Sequence, residues 1–139
     1  MSKTSGLGAA IVVDDATGSP QTISNDVTDF TMATPRAVQD ITGVDKSAHE
    51  RLLLLADGTV QLKGVFNVAA NMSHAVLSSV PSTSVTRTTK ITPTASSTPY
   101  LSMEMLFSSY DVSRSSSGEL TWSADGSLAD GTAPEWTNS

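Results

Sequence analysis

The sequence predicts a mainly β domain, of the β-sandwich or barrel type, with one short α-helix packed on the sheet. Ser and Thr crowd long stretches such as Ser78–Pro99, and neither residue favours a helix. Apolar and polar residues alternate in several segments, which is the period of a half-buried strand. Gly, Pro and Asp mark turns between those segments. Together these observations indicate about six to eight strands joined by hairpins and one helical crossover.

The 139 residues, 38% of them apolar, fit one domain. A chain of this size can bury a core, but the stability that the core provides is small. Residues 1–8, MSKTSGLG, predict a flexible N-terminal arm. Residues 9–128 carry the strand patterns and form the predicted β-sandwich domain. Residues 129–139 are rich in Gly, Asp and Pro and predict a C-terminal tail with an isolated Trp136.

The clearest local signal is the segment His49–Phe66, HERLLLLADGTVQLKGVF. Asp57–Gly58 lies between two strand-like runs and predicts a two-residue hairpin turn. The second arm alternates, with the apolar residues Val60, Leu62 and Phe66 on one face. Gly64 falls on that apolar face, at a place where a side chain would block close packing.

A helix of about three turns is predicted over residues 67–80, ending before Pro81. Its apolar stripe contains Met72, Val76 and Val80, spaced four apart. Asn67 or Asn71 is the expected N-cap. A helix this short is marginal alone and must pack on the sheet.

Two long strands are predicted towards the C-terminus. The first has an apolar face that consists of Leu101, Met103, Met105 and Phe107. After Ser108–Ser109 the apolar face switches parity to Tyr110 and Val112, which predicts a β-bulge. The second is GELTWSADG, with Leu120, Trp122 and Ala124 directed inward.

Charge and composition exclude several classes of function. The net charge of −6 and eight scattered basic residues argue against a nucleic-acid-binding surface. With no cysteine, the chain has no disulfide framework, thiolate zinc site or cysteine nucleophile. Even the longest apolar runs, such as LLLLA, are far below membrane-spanning length, so no membrane association is expected, and no signal peptide is visible.

No motif in the sequence carries catalytic chemistry. His49 and His74 lack the neighbours that metal-binding spacing requires. The segment Asp125–Gly131 contains two Asp-Gly pairs, but it lacks the ligand spacing of a calcium loop and is interpreted as two acidic turns. No GxSxG or phosphate-loop motif occurs. The sequence therefore predicts neither an enzyme nor a cofactor.

The run Leu52–Leu55 raises a different question, because a strand that does not alternate is expected to be buried on both faces. One face would meet the core, and the other would meet the helix or a second chain. A domain with one helix covers only one side of its main sheet. The pattern thus leaves two readings open, a self-assembling protein and a monomeric sandwich with the helix over the leucines.

The order of these elements resembles the tail tube (major tail) proteins of long-tailed bacteriophages. The resemblance is carried by ERLLLLADGTVQLKGVF, the helix segment AANMSHAVLSSV and the strands YLSMEMLFSSYDVSR and GELTWSADGSL, over most of residues 27–128. What matches is a pattern of elements along the chain and not a catalytic signature. Residues 129–139 match nothing in the family pattern.

The resemblance implies a tail tube fold and a structural virion protein that assembles into stacked hexameric rings. It implies a tail location in the virion after assembly in the host cytoplasm, and tape measure, terminator and distal tail proteins as partners. Double-stranded DNA would pass through an acidic lumen without specific binding. The expected packing or interface residues are Leu52, Leu53, Leu54, Leu55, Val60, Leu62, Phe66, Leu101, Met103, Met105 and Phe107. The lumen candidates are Asp29, Glu104, Asp111 and Glu119.

The resemblance further implies that the arm and the long hairpin bridge rings, and that Leu52–Leu55 lie between the chain's own sheet and helix and a neighbouring subunit. Two other readings stay open. One is another virion β-sandwich, such as a tail terminator, a capsid decoration protein or a baseplate component. The other is a carbohydrate-binding or adhesion module, for which Trp136 is the exposed aromatic candidate.

Overall fold

The computed structural model describes residues 3–138 and is 48% strand and 6% helix, which confirms the predicted mainly β fold. The chain starts with β1 (Ala10–Asp14), β2 (Pro20–Thr22), a 3₁₀ turn (Ser24–Asp26) and β3 (Val27–Ala33). It continues with β4 (Arg36–Asp40), β5 (Arg51–Ala56), β6 (Thr59–Val65) and the helix α1 (Ser73–Leu77). It ends with β7 (Arg87–Thr92), β8 (Tyr100–Arg114), β9 (Leu120–Leu128) and β10 (Trp136–Thr137).

Eight strands form one antiparallel sheet in the order β2-β1-β7-β8-β9-β6-β3, with β10 added to β8. The long strand β8 joins two halves of this sheet. Its first part, up to Met105, pairs with β7, whereas Met105–Arg114 pairs with β9. At 15 residues, β8 spans about 50 Å, which is long enough to serve two sets of neighbours. The remaining strands, β4 and β5, pair only with each other.

One apolar core is enclosed by the two halves of the sheet and the helix. Strict alternation supplies it, as in β6, where Val60 and Leu62 are buried and their neighbours are exposed. Six of the residues expected at packing or interface positions lie in this core, and Phe66 is half-buried. The six are Val60, Leu62, Leu101, Met103, Met105 and Phe107.

The predicted β-bulge in β8 is present. Phe107 pairs with Gly126 and Ser109 pairs with Asp125, so Ser108 is the extra residue. The bulge returns Tyr110 to the core face, where it packs against the core. The reading of Asp125–Gly131 as two turns was wrong in its first half, because β9 continues to Leu128 and Asp125 is a strand residue.

Gly64 allows the backbone of β6 to pass against the segment before β3. A Cβ at this position would overlap the carbonyl oxygen of Asp26. The pairing of β3 with β6 is irregular at the same place, where the register shifts between Val27 and Asp29. The sequence-based expectation that a side chain at Gly64 would block close packing is confirmed.

The helix is shorter than predicted, five residues instead of about three turns. Asn71 has a positive φ of 63°, which ends any helical run from residue 67. The predicted cap was also wrong, because Met72 is the N-cap residue and makes no side-chain cap bond. Instead the buried carboxylate of Asp26 accepts a hydrogen bond from the Ser73 amide at 3.0 Å. A residue 47 positions earlier in the chain therefore caps this helix.

Arg87 connects the helix to the sheet. Its guanidinium is buried and donates to the backbone carbonyls of Asp14 and Val76, each at 2.9 Å, and to Ser79 Oγ at 2.9 Å. Burial lowers the pKa of Arg87, and the nearby Asp15 and Asp14 partly oppose this. The arginine thus joins β1, β7 and the end of α1 in one hydrogen-bonded cluster.

The predicted pairing of Leu52–Leu55 across Asp57–Gly58 was wrong. These leucines form β5, which pairs with β4, and not with β6. Gly58 is buried against Met103, and the chain uses this position to pass from the β4–β5 hairpin into the main sheet. The leucines also do not lie under α1, because all four are exposed in the single chain.

The ends of the described chain differ from each other. Residues 3–8 form no strand or helix and are exposed. Near the other end, residues 136–137 form β10 and pair with Tyr100 and Leu101 of β8. Trp136 is thereby part of the sheet while still partly exposed. Within residues 3–138, no helix has the length and apolar character needed to cross a membrane.

Candidate assembly surfaces

The four strands β8, β9, β6 and β3 present a polar face on the side opposite to the core. Cross-strand pairing sets this face in rows, one of which runs from Asp111 through Ser123 and Lys63 to Asp29. We call these residues the polar patch. Its members are Asp29, Thr31, Ala33, Thr59, Gln61, Lys63, Val65, Leu106, Ser109, Asp111, Ser113, Thr121, Ser123, Asp125 and Ser127.

The polar patch is acidic and otherwise made of small or uncharged side chains. It contains three aspartates and one lysine, a net charge of −2, and it includes no arginine and no aromatic residue. Lys63 lies opposite Asp29 on the neighbouring strand. The hydroxyl of Ser109 donates to the Asp125 carboxylate at 3.4 Å. With one lysine against three aspartates and no aromatic ring, the patch lacks the clustered cations and the stacking rings with which proteins hold nucleic acid.

The four lumen candidates named from the sequence do not all belong to this patch. Asp29 and Asp111 lie within it, in the same row. Glu104 is on the part of β8 that pairs with β7, and its carboxylate accepts a hydrogen bond from Thr88 Oγ1 at 2.7 Å. Glu119 lies in the exposed turn between β8 and β9. The patch also contains Asp125, which was not among the lumen candidates although the predicted strand GELTWSADG includes it.

The same four strands have two free edges. Within residues 3–138, β3 pairs only with β6, so the other edge of Val27–Ala33 has no strand partner. Beyond Met105, β8 pairs only with β9, which leaves the opposite edge of residues 106–114 open. Unpaired strand edges expose amide and carbonyl groups that can pair with another chain. The four strands therefore form a sheet segment that can be continued at both sides.

The β4–β5 hairpin is apolar on both faces. Val38 lies opposite Leu53 on one face, and Leu52 and Leu54 lie on the other. The exposed fraction is 53% for Leu53 and 87% for Leu55. Isolated exposed apolar residues are common on folded proteins but contiguous patches are not, so the hairpin is a candidate interaction surface.

Polar side chains close the hairpin at both ends. At its base, Arg36 donates through Nε and Nη2 to the Leu54 carbonyl at 3.1 and 2.9 Å. At its outer end, Asp40 accepts hydrogen bonds from Thr42 and lies 3.1 Å from Nδ1 of His49. The bonds from Thr42, and then His49, lower the pKa of Asp40. The polar groups define the hairpin's shape and leave its apolar middle uncovered.

Among residues 3–138, no three His, Asp or Glu side chains are grouped as a metal site would require. His74 lies on the core side, with Nδ1 3.1 Å from the Tyr110 hydroxyl, and burial raises the pKa of Tyr110. A cavity of about 340 Å³ on the polar patch is lined by Asp29, Lys63 and Asp111 among others, and no histidine is among its lining residues.

Comparisons with known proteins bear on the fold. No protein-family model matches the sequence, and no curated protein matches it either. Among solved structures, the chain is similar to a protein in the tail of an empty gene transfer agent (GTA) particle, determined by helical refinement with C6 symmetry. That match has a TM-score of 0.72 and 16% sequence identity and covers 99% of both chains.

A second similar structure belongs to the virion of a native gene transfer agent particle. It has a TM-score of 0.68 and 17% identity, and it covers 97% of this chain and 99% of the other. Sequence identity this low shows the fold alone. The predicted resemblance in fold to phage-like tail proteins is confirmed, and over its whole length the chain has the fold of a tail protein of a gene transfer agent particle.

Proposed function

We propose that this chain is the subunit of a tail tube, a structural virion protein that assembles into stacked hexameric rings around a bore for double-stranded DNA. The observation that carries the proposal is the four-stranded segment β8-β9-β6-β3, with free edges at both sides and an acidic polar face. The similar gene transfer agent tail has C6 symmetry, which supports six copies to a ring.

Ring closure follows from edge pairing. The free edge of β3 in one copy pairs with the free edge of residues 106–114 in the next, and six segments of four strands close into one barrel. Such head-to-tail pairing satisfies both free edges of each four-stranded segment once the ring is complete. With the polar patch inward, α1 and the core lie outside the bore.

The charge of the patch suits a conduit. Six copies with a patch charge of −2 place a charge of −12 around the bore of each ring. The six chains together, each of net charge −6, carry a charge of −36. Like charges repel the phosphate backbone, so DNA slides without being held. Tape measure, terminator and distal tail proteins complete the proposed assembly. The assembled protein is then located in the tail of the virion.

Electron microscopy of the purified protein across a concentration series, with light-scattering mass, tests assembly directly. The expected result is rings or tubes of uniform bore. A monomer at every concentration contradicts the proposal. A single ring that never stacks favours a tail terminator instead.

Labelling tests the orientation of the patch, because the chain has no native cysteine. Gln61→Cys places a thiol in the polar patch, and Ser82→Cys places one in the loop after α1. Both positions are exposed in the single chain. We expect a polyethylene-glycol maleimide too bulky for the bore to label Ser82→Cys in tubes but not Gln61→Cys, and to label both in unassembled protein. Equal labelling of both in tubes would place the patch outside.

Hydrogen exchange tests the seam. On assembly, amides of Val27–Ala33 and of residues 106–114 should gain protection, because unpaired edge amides become hydrogen-bonded. Amides of β2 form the internal control, since that strand is outside the proposed seam. Unchanged exchange at both edges in assembled tubes would contradict edge pairing.

A further inference from the structure

Each edge strand of the four-stranded segment contains one β-bulge. The register of β3 against β6 shifts at Thr28, and that of β8 against β9 shifts at Ser108, whereas β6 and β9 pair without a shift. A bulge interrupts regular pairing. Regular strand therefore runs over the five residues 29–33 in β3 and over the six residues 109–114 in β8.

The regular stretch of β3 has backbone groups that are free within the described part of the chain. The Asp57 amide donates to the Pro35 carbonyl at 2.9 Å, which continues the register of β3 with β6. Bonded and non-bonded pairs alternate along an antiparallel ladder, so the odd-numbered residues of β3 are the ones that bond to β6. Phe30 and Met32 therefore direct their amide and carbonyl groups to the free edge.

The regular stretch of β8 has the same alternation. The Ser115 amide donates to the Glu119 carbonyl at 2.9 Å, which continues the register of β8 with β9. The odd-numbered residues of this stretch thus bond to β9. Tyr110, Val112 and Arg114 direct their amide and carbonyl groups to the free edge.

Strand direction and sheet face leave one way to pair all five residues of β3. Because β8, β9, β6 and β3 are successively antiparallel, β3 of one copy meets β8 of the next as an antiparallel pair. Five residues fit on six in two ways. Pairing 29–33 with 110–114 sets Asp29, on the polar face, opposite Arg114, which is on the other face. Pairing 29–33 with 109–113 matches both faces and brings the free backbone groups of the two edges together.

We propose that the bulges at Thr28 and Ser108 set the register of the seam between neighbouring copies in a ring. The inference rests on the proposed ring, and it states which residues meet across the seam. In this register Thr31 of one copy lies opposite Asp111 of the next, in the middle of the five pairs. One bulge bounds the seam at each end, because the paired strands run in opposite directions.

The charges of the polar patch favour the same register. Asp29 lies opposite Ser113, so it does not face Asp111 of the neighbouring copy. A shift by two residues is the smallest that keeps the faces matched. In one direction it sets Asp29 directly opposite Asp111, and like charges directly opposite destabilise a strand pair. In the other direction it moves Asp29 past the end of β8 at Arg114, and one of the five pairs is lost.

A cysteine scan across the seam tests the register, since the chain has no native cysteine. Thr31→Cys is combined in turn with Ser109→Cys, Asp111→Cys or Ser113→Cys, and assembled protein is treated with a mild oxidant. We expect disulfide-linked oligomers with Asp111→Cys, because the Cα atoms of directly opposite residues in a non-bonded pair lie about 4.5 Å apart. The other two combinations should give at least about tenfold less, since diagonal neighbours lie about 7–8 Å apart.

A disulfide in these variants must join two copies. Within one chain, β6 and β9 lie between Thr31 and the positions on β8, a separation of roughly 14 Å. Oligomers formed mainly with Ser109→Cys or Ser113→Cys, or equally in all three combinations, overturn the register and leave edge pairing standing. Rings without disulfides in any combination overturn edge pairing and the register together. Absence of rings and tubes in the parent protein overturns the proposed function as well.

Moving a charge across the seam tests the register without thiols. Ser113→Asp sets a second carboxylate opposite Asp29 of the neighbouring copy at six places in a ring, and should raise the protein concentration needed for assembly at least about tenfold. Asp29→Ser added to Ser113→Asp should restore assembly, because one carboxylate is left in each pair. Thr121→Asp is the control, since it adds the same charge next to Ser113 but on β9, away from the seam. Equal loss of assembly in both single variants, or no recovery in the double variant, overturns the register.

Discussion

The strands β5 and β6 are separated by two residues, yet they use their leucines in opposite ways. Leu62 in β6 is fully buried, whereas Leu53 in β5 is 53% exposed. The sequence of β6 alternates, and the structure covers one of its faces with the core. The sequence of β5 does not alternate, and the single chain covers neither face.

This difference shows that a continuous apolar run has two physical explanations. Such a run indicates a strand that is covered on both faces, but the cover can come from the same chain or from other chains. Here the run belongs to a two-stranded hairpin, and a hairpin alone is marginally stable in water. In the proposed tube, other subunits provide the cover.

The largest expected effect comes from making the same change in both strands. Leu62→Ala should lower the free energy of unfolding by about 3–5 kcal/mol, since it leaves a cavity in the core. Leu53→Ala should change it by no more than about 0.5 kcal/mol but should reduce tube formation. Urea denaturation of the monomer and electron microscopy measure the two effects. A similar stability loss in both variants would show that the hairpin packs on its own chain.

Two glycines extend this comparison between the main sheet and the β4–β5 hairpin. Gly64→Ala should cost about 3 kcal/mol, because the new Cβ meets the backbone of Asp26 in the 3₁₀ turn and not a flexible side chain. In the loop between β4 and β5, a Cβ at Gly43 would come within 3.0 Å of only the Asp45 carboxylate, an exposed side chain that can rotate away. Gly43→Ala should therefore be neutral within about 0.5 kcal/mol. Thermal unfolding measures the stability of both variants. Unchanged stability of Gly64→Ala would contradict the close approach of Gly64 to the Asp26 backbone.

A smaller effect is expected where the helix meets the main sheet. Asp26→Ala should cost about 1–3 kcal/mol, since it removes the acceptor of the buried Ser73 amide and of Asn67 Nδ2. Asp29→Ala, three residues away and exposed, should stay within about 0.5 kcal/mol. Chemical denaturation compares the two. Equal stability of both variants would mean that the carboxylate does not hold the helix.

The smallest effect is expected at the exposed turn between β1 and β2. Hydrogen bonds from the Thr17 hydroxyl and the Ser19 amide lower the pKa of Asp15 from 3.8 to about 2. A carboxylate with a lowered folded-state pKa stabilises the fold above pH 3.8 and loses this contribution as the pH falls towards 2. Asp15→Asn should remove that part of the pH dependence. Urea midpoints measured above and below this window for both proteins test it, and identical profiles would contradict it.

Local patterns predicted much of the main sheet. Alternation placed Val60 and Leu62 in the core, and the change of parity after Ser108–Ser109 predicted the bulge in β8. The errors occurred where distant residues decide. The helix is capped by Asp26, and Asp57–Gly58 joins two sheets instead of two arms of one hairpin. When two residues pair, or one caps a helix, across tens of positions in the chain, the contact produces no periodic pattern from which the sequence could predict it.

For the assembly surfaces, the sequence identified the leucines and two of the acidic residues, Asp29 and Asp111. It did not identify Asp125 as a member of the polar patch, nor the free edges of β3 and β8. A free edge is a property of strand order, which depends on contacts that are remote in the chain. The interface roles of Leu52–Leu55 and the lumen roles of the aspartates remain predictions for the experiments above.

By itself, the sequence determined the fold class, the alternating core of the main sheet, the acidic charge and the presence of apolar surface in excess of what one helix can cover. Those features depend on residue type and short-range spacing. Only the tertiary structure decided that β8 is shared between two sheet halves, that β4 and β5 stand apart, and that two strand edges are open. The physical reason is that backbone pairing and burial are set jointly by all strands, so the same four leucines would be buried in one strand order and exposed in another.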